Sequence, residues 1–166
     1  LEARGKEGFS MELPIPTGGN EIQVALKGII DRIDRKDGQL RVLDYKTGRD
    51  ERRLKDIPSL FDREDDRRNK AALQAFFYAL LYQQNLNGNT PKIVPGLINA
   101  SELFSDSLDP RLLMGSQPVD DFVNYQEEYL GNLQKLLVEI FDRKIPFDQT
   151  TDEKKCGFCP YANICY

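Results

Sequence analysis

The apolar residues of this chain fall into segments of different period. Residues 9–16 alternate weakly between apolar and polar, which predicts a strand, and Thr17-Gly18-Gly19-Asn20 follows as a turn cluster. Residues 21–36 are rich in Ile and Val and read as one long strand. Asp37-Gly38 is a hairpin signal, because glycine tolerates the positive φ of a tight turn, and residues 39–46 form the returning strand, ended by Thr47-Gly48. Residues 49–68 are dominated by charge and contain Pro58. They predict a loop with one short helix near 50–56. Residues 69–86 carry Ala, Leu and Phe nearly all round with no Gly or Pro, the pattern of a buried helix stopped by Asn87-Gly88-Asn89. Residues 92–100 predict a further strand, with Pro95 pointing to an edge or a bulge. Residues 101–116 have no clear period. Residues 121–144 form an amphipathic helix with Phe122, Tyr125, Tyr129, Leu133, Leu136, Leu137 and Ile140 on its apolar side, closed by Pro146. Strands, then helix, strand and helix, predict an α/β domain with a mixed sheet and helices on its faces.

The hairpin fixes a register. If Asp37-Gly38 is a two-residue loop, Lys36 pairs with Gln39, Ile33 faces Val42, Asp31 faces Asp44 and Ile29 faces Lys46. Side chains alternate with period two, so Ile29, Asp31 and Ile33 share a face with Val42, Asp44 and Lys46, while Ile30, Arg32 and Asp34 share the other with Tyr45, Leu43 and Arg41. Opposed residues have Cβ atoms roughly 4.5–5.5 Å apart, and like charges there repel. Lys46 is one group that offsets the repulsion. A divalent cation is the other, since Mg²⁺ accepts one or two carboxylates together with waters. Two aspartates paired to surface arginines and facing water remain the alternative.

Composition narrows the chemistry. The 166 residues suffice for one domain with a real core. There is no histidine, so a Ser–His triad, a Cys–His dyad and a His-ligated zinc are all excluded within this chain. Metal-activated water is then the most economical nucleophile, with Lys46 stabilising charge that develops on a phosphodiester. No apolar run approaches the ~18–20 residues of a membrane span and no secretory signal is visible, so a cytoplasmic location is expected. The net charge is −4, which argues against a whole-surface grip on nucleic acid. Residues 27–55, however, hold ten Lys/Arg against six Asp/Glu, and a polyanion would meet the chain there unless this is only a solvated hairpin surface. The chain opens on Leu1, not Met, and reads as part of a longer polypeptide.

Gly28-Ile29-Ile30-Asp31-Arg32-Ile33-Asp34 followed by Val42-Leu43-Asp44-Tyr45-Lys46-Thr47-Gly48 resembles the PD-(D/E)XK nuclease superfamily, in particular its RecB-type branch. Gln74-Ala75-Phe76-Phe77-Tyr78 resembles that branch's Gln-x-x-x-Tyr motif. Asp-x-Lys alone is weak; the three motifs in order are strong together. The resemblance implies a restriction-endonuclease-like fold, a mixed central sheet flanked by helices. It implies that Asp31, Asp44 and the backbone carbonyl of Tyr45 hold Mg²⁺ or Mn²⁺, that Lys46 is catalytic, and that Gln74 and Tyr78 line the site from one helix face. It also implies DNA as substrate, with Arg32, Arg49, Arg52 and Arg53 as phosphate contacts, and a helicase–nuclease acting in double-strand break repair and recombination, exonuclease rather than endonuclease, with a partner subunit. The family's helix before the first of these strands is not apparent ahead of Phe9, so the chain is expected to hold only part of its catalytic centre.

All three cysteines sit at the C-terminus as Cys156-x2-Cys159-x5-Cys165. This resembles the iron–sulfur staple of AddB-type nuclease domains, which implies a [4Fe–4S] cluster with a fourth thiolate upstream of Leu1, absent from this chain by itself. Three ordinary thiols in a reducing compartment are the alternative. The expected organisation is a nuclease core over 1–150 and a Cys-rich staple over 151–166. A catalytically inactive DNA-binding or subunit-interaction module of the same fold is the competing function.

Overall fold

A computed structural model describes residues 8–65, 67–86, 91–105, 108–146, 156–157 and 159–165. Its elements are β1 (Gly8–Thr17), β2 (Asn20–Ile29), β3 (Arg32–Lys36), β4 (Gln39–Lys46), β5 (Arg53–Leu54), α1 (Lys70–Gln84), β6 (Ile93–Asn99), β7 (Leu113–Met114), β8 (Gln117–Pro118), α2 (Val123–Phe141) and a terminal turn of helix, α3 (Ala162–Cys165).

The sheet that matters most is mixed, in the order β3–β4–β6: β3 and β4 are antiparallel, β4 and β6 parallel. The hairpin register follows the turn. Asp37 and Gly38 take φ of 51° and 78°, and Lys36 pairs with Gln39, Ile33 with Val42 and Arg32 with Leu43. Every residue of β6 is buried, yet it is the last strand of this sheet, which is where Pro95 is tolerated. The segment 110–112 covers that edge: the Leu97 N–H donates to the Pro110 carbonyl at 2.8 Å, and Gly96 leaves no room for a Cβ, which would stand 2.6 Å from the same oxygen.

One expectation fails. Residues 21–36 are not a single strand. The chain pairs with β1 as far as Ile29, bends at Ile30–Asp31, and resumes as β3 in the other sheet. Ile29 lies opposite Gly8, not Lys46, and is 57% exposed, so it adds nothing to an aliphatic face. The short helix expected at 50–56 is also absent. Its backbone is bonded outward instead: the Asn69 amide donates to the carbonyls of Glu51 and Arg53, and the Leu113 N–H donates to that of Arg52. A 3₁₀ turn at Pro58–Leu60 follows. The segment without period, 101–116, contains a 3₁₀ turn at Ala100–Glu102 and leads into the small β7–β8 hairpin, where Gly115 takes φ +61°.

α1 is the central buttress and lies against β4 and β6. Asn69 caps it, its side-chain oxygen accepting from the Ala72 N–H at 2.9 Å. Phe76 is fully buried and stacks on Tyr129 of α2 with centroids 5.6 Å apart, edge-on to Phe122 at 5.9 Å. The Tyr129 hydroxyl donates to the Leu73 carbonyl, which satisfies a phenol whose burial pushes its pKa up. Phe122, just ahead of α2, and Tyr129, Leu133 and Leu137 on it are buried as the pattern predicts. Ile140 is not; it is exposed in the last turn, and the helix stops at Phe141, ahead of Pro146. The stop at 87–89, the residues ahead of β1 and the boundary expected at 150/151 lie outside the described residues. Among those described, no helix is long and apolar enough to cross a membrane.

The face of the β3–β4 ladder that carries Arg32, Asp34 and Arg41 is pinned by charge. Asp34 is buried and accepts from Arg41 at 2.6 and 2.7 Å and from Arg32 at 2.7 Å. Burial alone would raise its pKa, but the two guanidinium groups outweigh it and hold the carboxyl below the usual range. Asp34→Asn is expected to cost about 1–2 kcal/mol at neutral pH, the arginines being partly exposed. The contribution is complete above the unfolded aspartate value of about 3.9 and is lost as the pH falls through the lower folded value. In urea unfolding, wild type and D34N should therefore converge below about pH 4. A second test concerns close approach. A Cβ on Gly28 would stand 2.9 Å from Leu81 Cδ1 and Tyr78 Cε1, so Gly28→Ala should lower stability by about 1–3 kcal/mol in thermal unfolding.

Candidate active site

The bend at Ile30–Asp31 makes the site. In the hairpin, residues flanking the two-residue loop exchange both backbone hydrogen bonds, and every second residue of β4 after that faces β3 in the same way. Gln39, Arg41 and Leu43 do so; Tyr45 is next, but β3 has already ended. Its N–H would be left without a strand partner. The Asp31 carboxylate takes the place of the strand, Oδ2 accepting from the Tyr45 N–H at 3.0 Å. By the same alternation the Tyr45 carbonyl points to the Asp31 side of β4.

Asp44 is the neighbour whose side chain points into the protein. It is only 4% exposed. Burial raises its pKa; Lys46 opposes that, and the charge and contact of Asp31 add to the rise. The expected juxtaposition of the two acids is thus present, although Asp31 reaches it from a bend and not from a ladder position. Lys46, two residues along β4 and on the same face, brings Nζ to 2.7 Å from Asp44 Oδ2. The ammonium also donates to Gln74 Oε1 at 2.6 Å, and Gln74 Nε2 donates to the Tyr78 hydroxyl at 2.7 Å. Gln74 and Tyr78 are one turn apart on α1, so a buried helix holds the lysine from behind. Gly28 permits this: with no Cβ, β2 passes directly against the Tyr78 ring.

The donor set suits a hard divalent cation. Two carboxylates in contact and a backbone carbonyl are oxygen ligands of the kind Mg²⁺ and Mn²⁺ accept alongside waters. Asp44 Oδ2 is buried and lies 2.7 Å from the Lys46 ammonium, the one cation that the two acids share among the described residues. Two neighbouring carboxylates beside one ammonium leave a net negative charge in a half-buried corner, which a further cation would offset. Among the described residues no group of three or more His, Cys, Asp or Glu could hold a metal, so the site offers two acids and no more.

The four arginines separate. Arg32 lies on the opposite face of the ladder, committed to Asp34 and to the Tyr45 hydroxyl at 3.1 Å. Arg52 is committed to Glu102 at 2.5 Å. Arg49 and Arg53 are exposed and make no ion pair among the described residues. Cys159 is an exposed thiol whose N–H donates to the Cys156 carbonyl at 3.0 Å, so these two cysteines share one turn. Cys165 ends α3, and its side chain lies outside the described residues.

Two residues escaped the sequence reading. Asn99, the last residue of β6, is buried opposite Lys46 in the parallel register and bonds the Asp50 backbone and Glu102. A single polar residue at the end of an apolar strand reads as the strand's end, and Glu102 reads as solvated charge. Neither carries a sequence signal of its own.

Comparison with curated proteins and with solved structures finds no match. A family model described as the PD-(D/E)XK nuclease superfamily matches residues 2–166, nearly the whole chain. The mixed β3–β4–β6 sheet with α1 against it and α2 packed on α1 is consistent with the restriction-endonuclease-like fold. On this evidence the chain belongs to the PD-(D/E)XK nuclease superfamily.

Proposed function

We propose that the chain is the metal-dependent deoxyribonuclease domain of a RecB- or AddB-type helicase–nuclease, hydrolysing phosphodiester bonds of DNA as an exonuclease in double-strand break repair and recombination. The observation that carries the reading is the proximity of Asp31 to the buried Asp44, two acids with the single ammonium of Lys46 beside them. Asp31, Asp44 and the Tyr45 carbonyl would hold Mg²⁺ or Mn²⁺. When bound, such an ion polarises a phosphoryl oxygen and lowers the pKa of a water.

The chain's own residues supply the rest. Lys46 sets a positive charge beside the acids, where it lowers the energy of the extra negative charge on a pentavalent phosphate. Gln74 fixes the direction of that ammonium, and the Tyr78 hydroxyl fixes the amide of Gln74. Because α1 is buried along most of its length, this chain of hydrogen bonds costs little reorganisation when substrate arrives. The C-terminal cysteines fit a different group. Cys156 and Cys159 lie in one turn and Cys165 is close in sequence, three of the four thiolates that a [4Fe–4S] cluster takes. With a fourth from elsewhere in the helicase–nuclease they would tie this end of the chain down.

Two outcomes test the reading in the full-length protein. Asp44→Asn and Lys46→Ala should each lower Mg²⁺-dependent cleavage of linear DNA by at least about a hundred- to a thousandfold. The thermal midpoint of D44N should stay at or above that of wild type, since the change removes a charge disfavoured by burial and, to a smaller extent, by Asp31. Cleavage left intact by either substitution refutes the assignment, and Mn²⁺ binding that Asp31→Asn fails to weaken refutes the metal site. Iron and acid-labile sulfide in anaerobically purified protein should fall to background in Cys156→Ser; equal content in both would remove the cluster.

A further inference from the structure

The segment after Lys46 is bound to the rest of the protein almost residue by residue. The Asp50 N–H donates to Asn99 Oδ1 at 3.0 Å, and Asn99 Nδ2 donates back to the Asp50 carbonyl at 3.1 Å. Asn69 takes the carbonyls of Glu51 and Arg53, Leu113 that of Arg52, and Gly115 that of Leu54. At the other end, Lys46 is the last residue of β4 and is held through its ammonium by Asp44 and Gln74. Between these anchors stands an arch of three residues, Thr47-Gly48-Arg49, all exposed.

The arch has a definite reach. Arg49 is three residues from Lys46, so its Cα lies within about 11 Å of that of the lysine even if the chain is fully extended. Of the four arginines expected to contact phosphate, Arg32 and Arg52 already neutralise Asp34 and Glu102. Arg49 is uncommitted among the described residues and nearer to the acids in sequence than Arg53. A guanidinium there is suited to a bidentate phosphate contact.

Asn99 decides where the arch ends. Its amide matches both backbone groups of Asp50, as a neighbouring strand would, and its second amide hydrogen goes to Glu102 Oε2 at 3.3 Å. The side chain is buried, so these bonds are made out of competition with water. Resting on the nuclease reading above, we infer that Asn99 is a positioning residue which, by clamping Asp50, holds Arg49 at a phosphate of the DNA strand that enters the acid site. Asn99 itself touches no substrate; it acts through Arg49.

A double-mutant cycle tests this in the full-length protein carrying Asp44→Asn, so that binding is read without cutting. The probe is a short fluorescein-labelled DNA duplex, read by anisotropy across a series of salt concentrations. Arg49→Ala and Asn99→Ala should each weaken binding about tenfold. Each should also reduce the slope of log K against log salt by about one, the signature of one lost phosphate contact. The two together should do no more than Arg49→Ala alone. Asn99→Asp, which keeps the acceptor for the Asp50 N–H but loses the donor for its carbonyl, is read in parallel in case N99A does not fold, and should show the same slope change. Additive losses, or a salt slope that the Asn99 variants leave unchanged, would mean that Asn99 only stabilises the fold and would overturn the inference. So would absence of DNA binding by the D44N protein. Cleavage by wild type is assayed alongside: failure there with an intact cycle would strike the nuclease reading and spare the clamp.

Discussion

Two carboxylates cannot share a half-buried corner at no cost. Asp31 and Asp44 repel each other, and burial makes the repulsion worse by removing the water that would screen it. The surroundings of the pair answer that constraint. Lys46 sits against one acid, the Tyr45 N–H against the other, and neither contact fully satisfies both groups. A site left short of positive charge is a poor way to stabilise a fold and a good way to attract a cation and a phosphate together. Stability and function are opposed here in the same few atoms.

The opposition is sustained by rigidity elsewhere. α1 is anchored by the aromatic contact of Phe76 with Tyr129 and by the Tyr129 hydroxyl on the Leu73 carbonyl. Gln74 follows Leu73 directly, so the residue that restrains Lys46 is adjacent to the one that fastens the helix to α2. On the outer face of the ladder, Asp34 with Arg32 and Arg41 fixes the register that brings β4 to its place. That cluster sets two guanidinium groups on one acid, and it contrasts with the single ammonium beside two acids on the other face.

Much of this was legible in residues 28–48 because one turn sets it. Asp37-Gly38 admits few hairpins, and period-two alternation then places Val42, Asp44 and Lys46 on one side without any knowledge of the rest. Gln74 and Tyr78 were marked only by their resemblance to a family motif; helical spacing then puts them on one face of α1. The bend at Ile30–Asp31 was not legible. Ile29, Ile30 and Ile33 continue the β-branched run across it, and the strand partners on its two sides, β1 and β4, belong to different sheets, which local propensity does not reveal. The strap 50–54 was misread as helix for the same kind of reason. Its backbone partners, Asn69, Asn99 and Leu113, lie from sixteen to about sixty residues away, and local propensity has no access to them. Asn99 drew no notice because a polar residue at a strand end is ordinary until its neighbour is known.

The long β1–β2 ribbon forms a sheet of its own and joins the rest of the fold at the position that bears Asp31. Asp44, by contrast, lies within β4, paired to Leu97 of the buried strand β6. The ribbon is itself seated in the core through Leu13 and Ile15 and packs on both helices. The spacing of the two acids is therefore set by two separate pieces of packing, that of the ribbon for Asp31 and that of the parallel ladder for Asp44, and a core substitution under β1 would reach the acid pair without touching either acid.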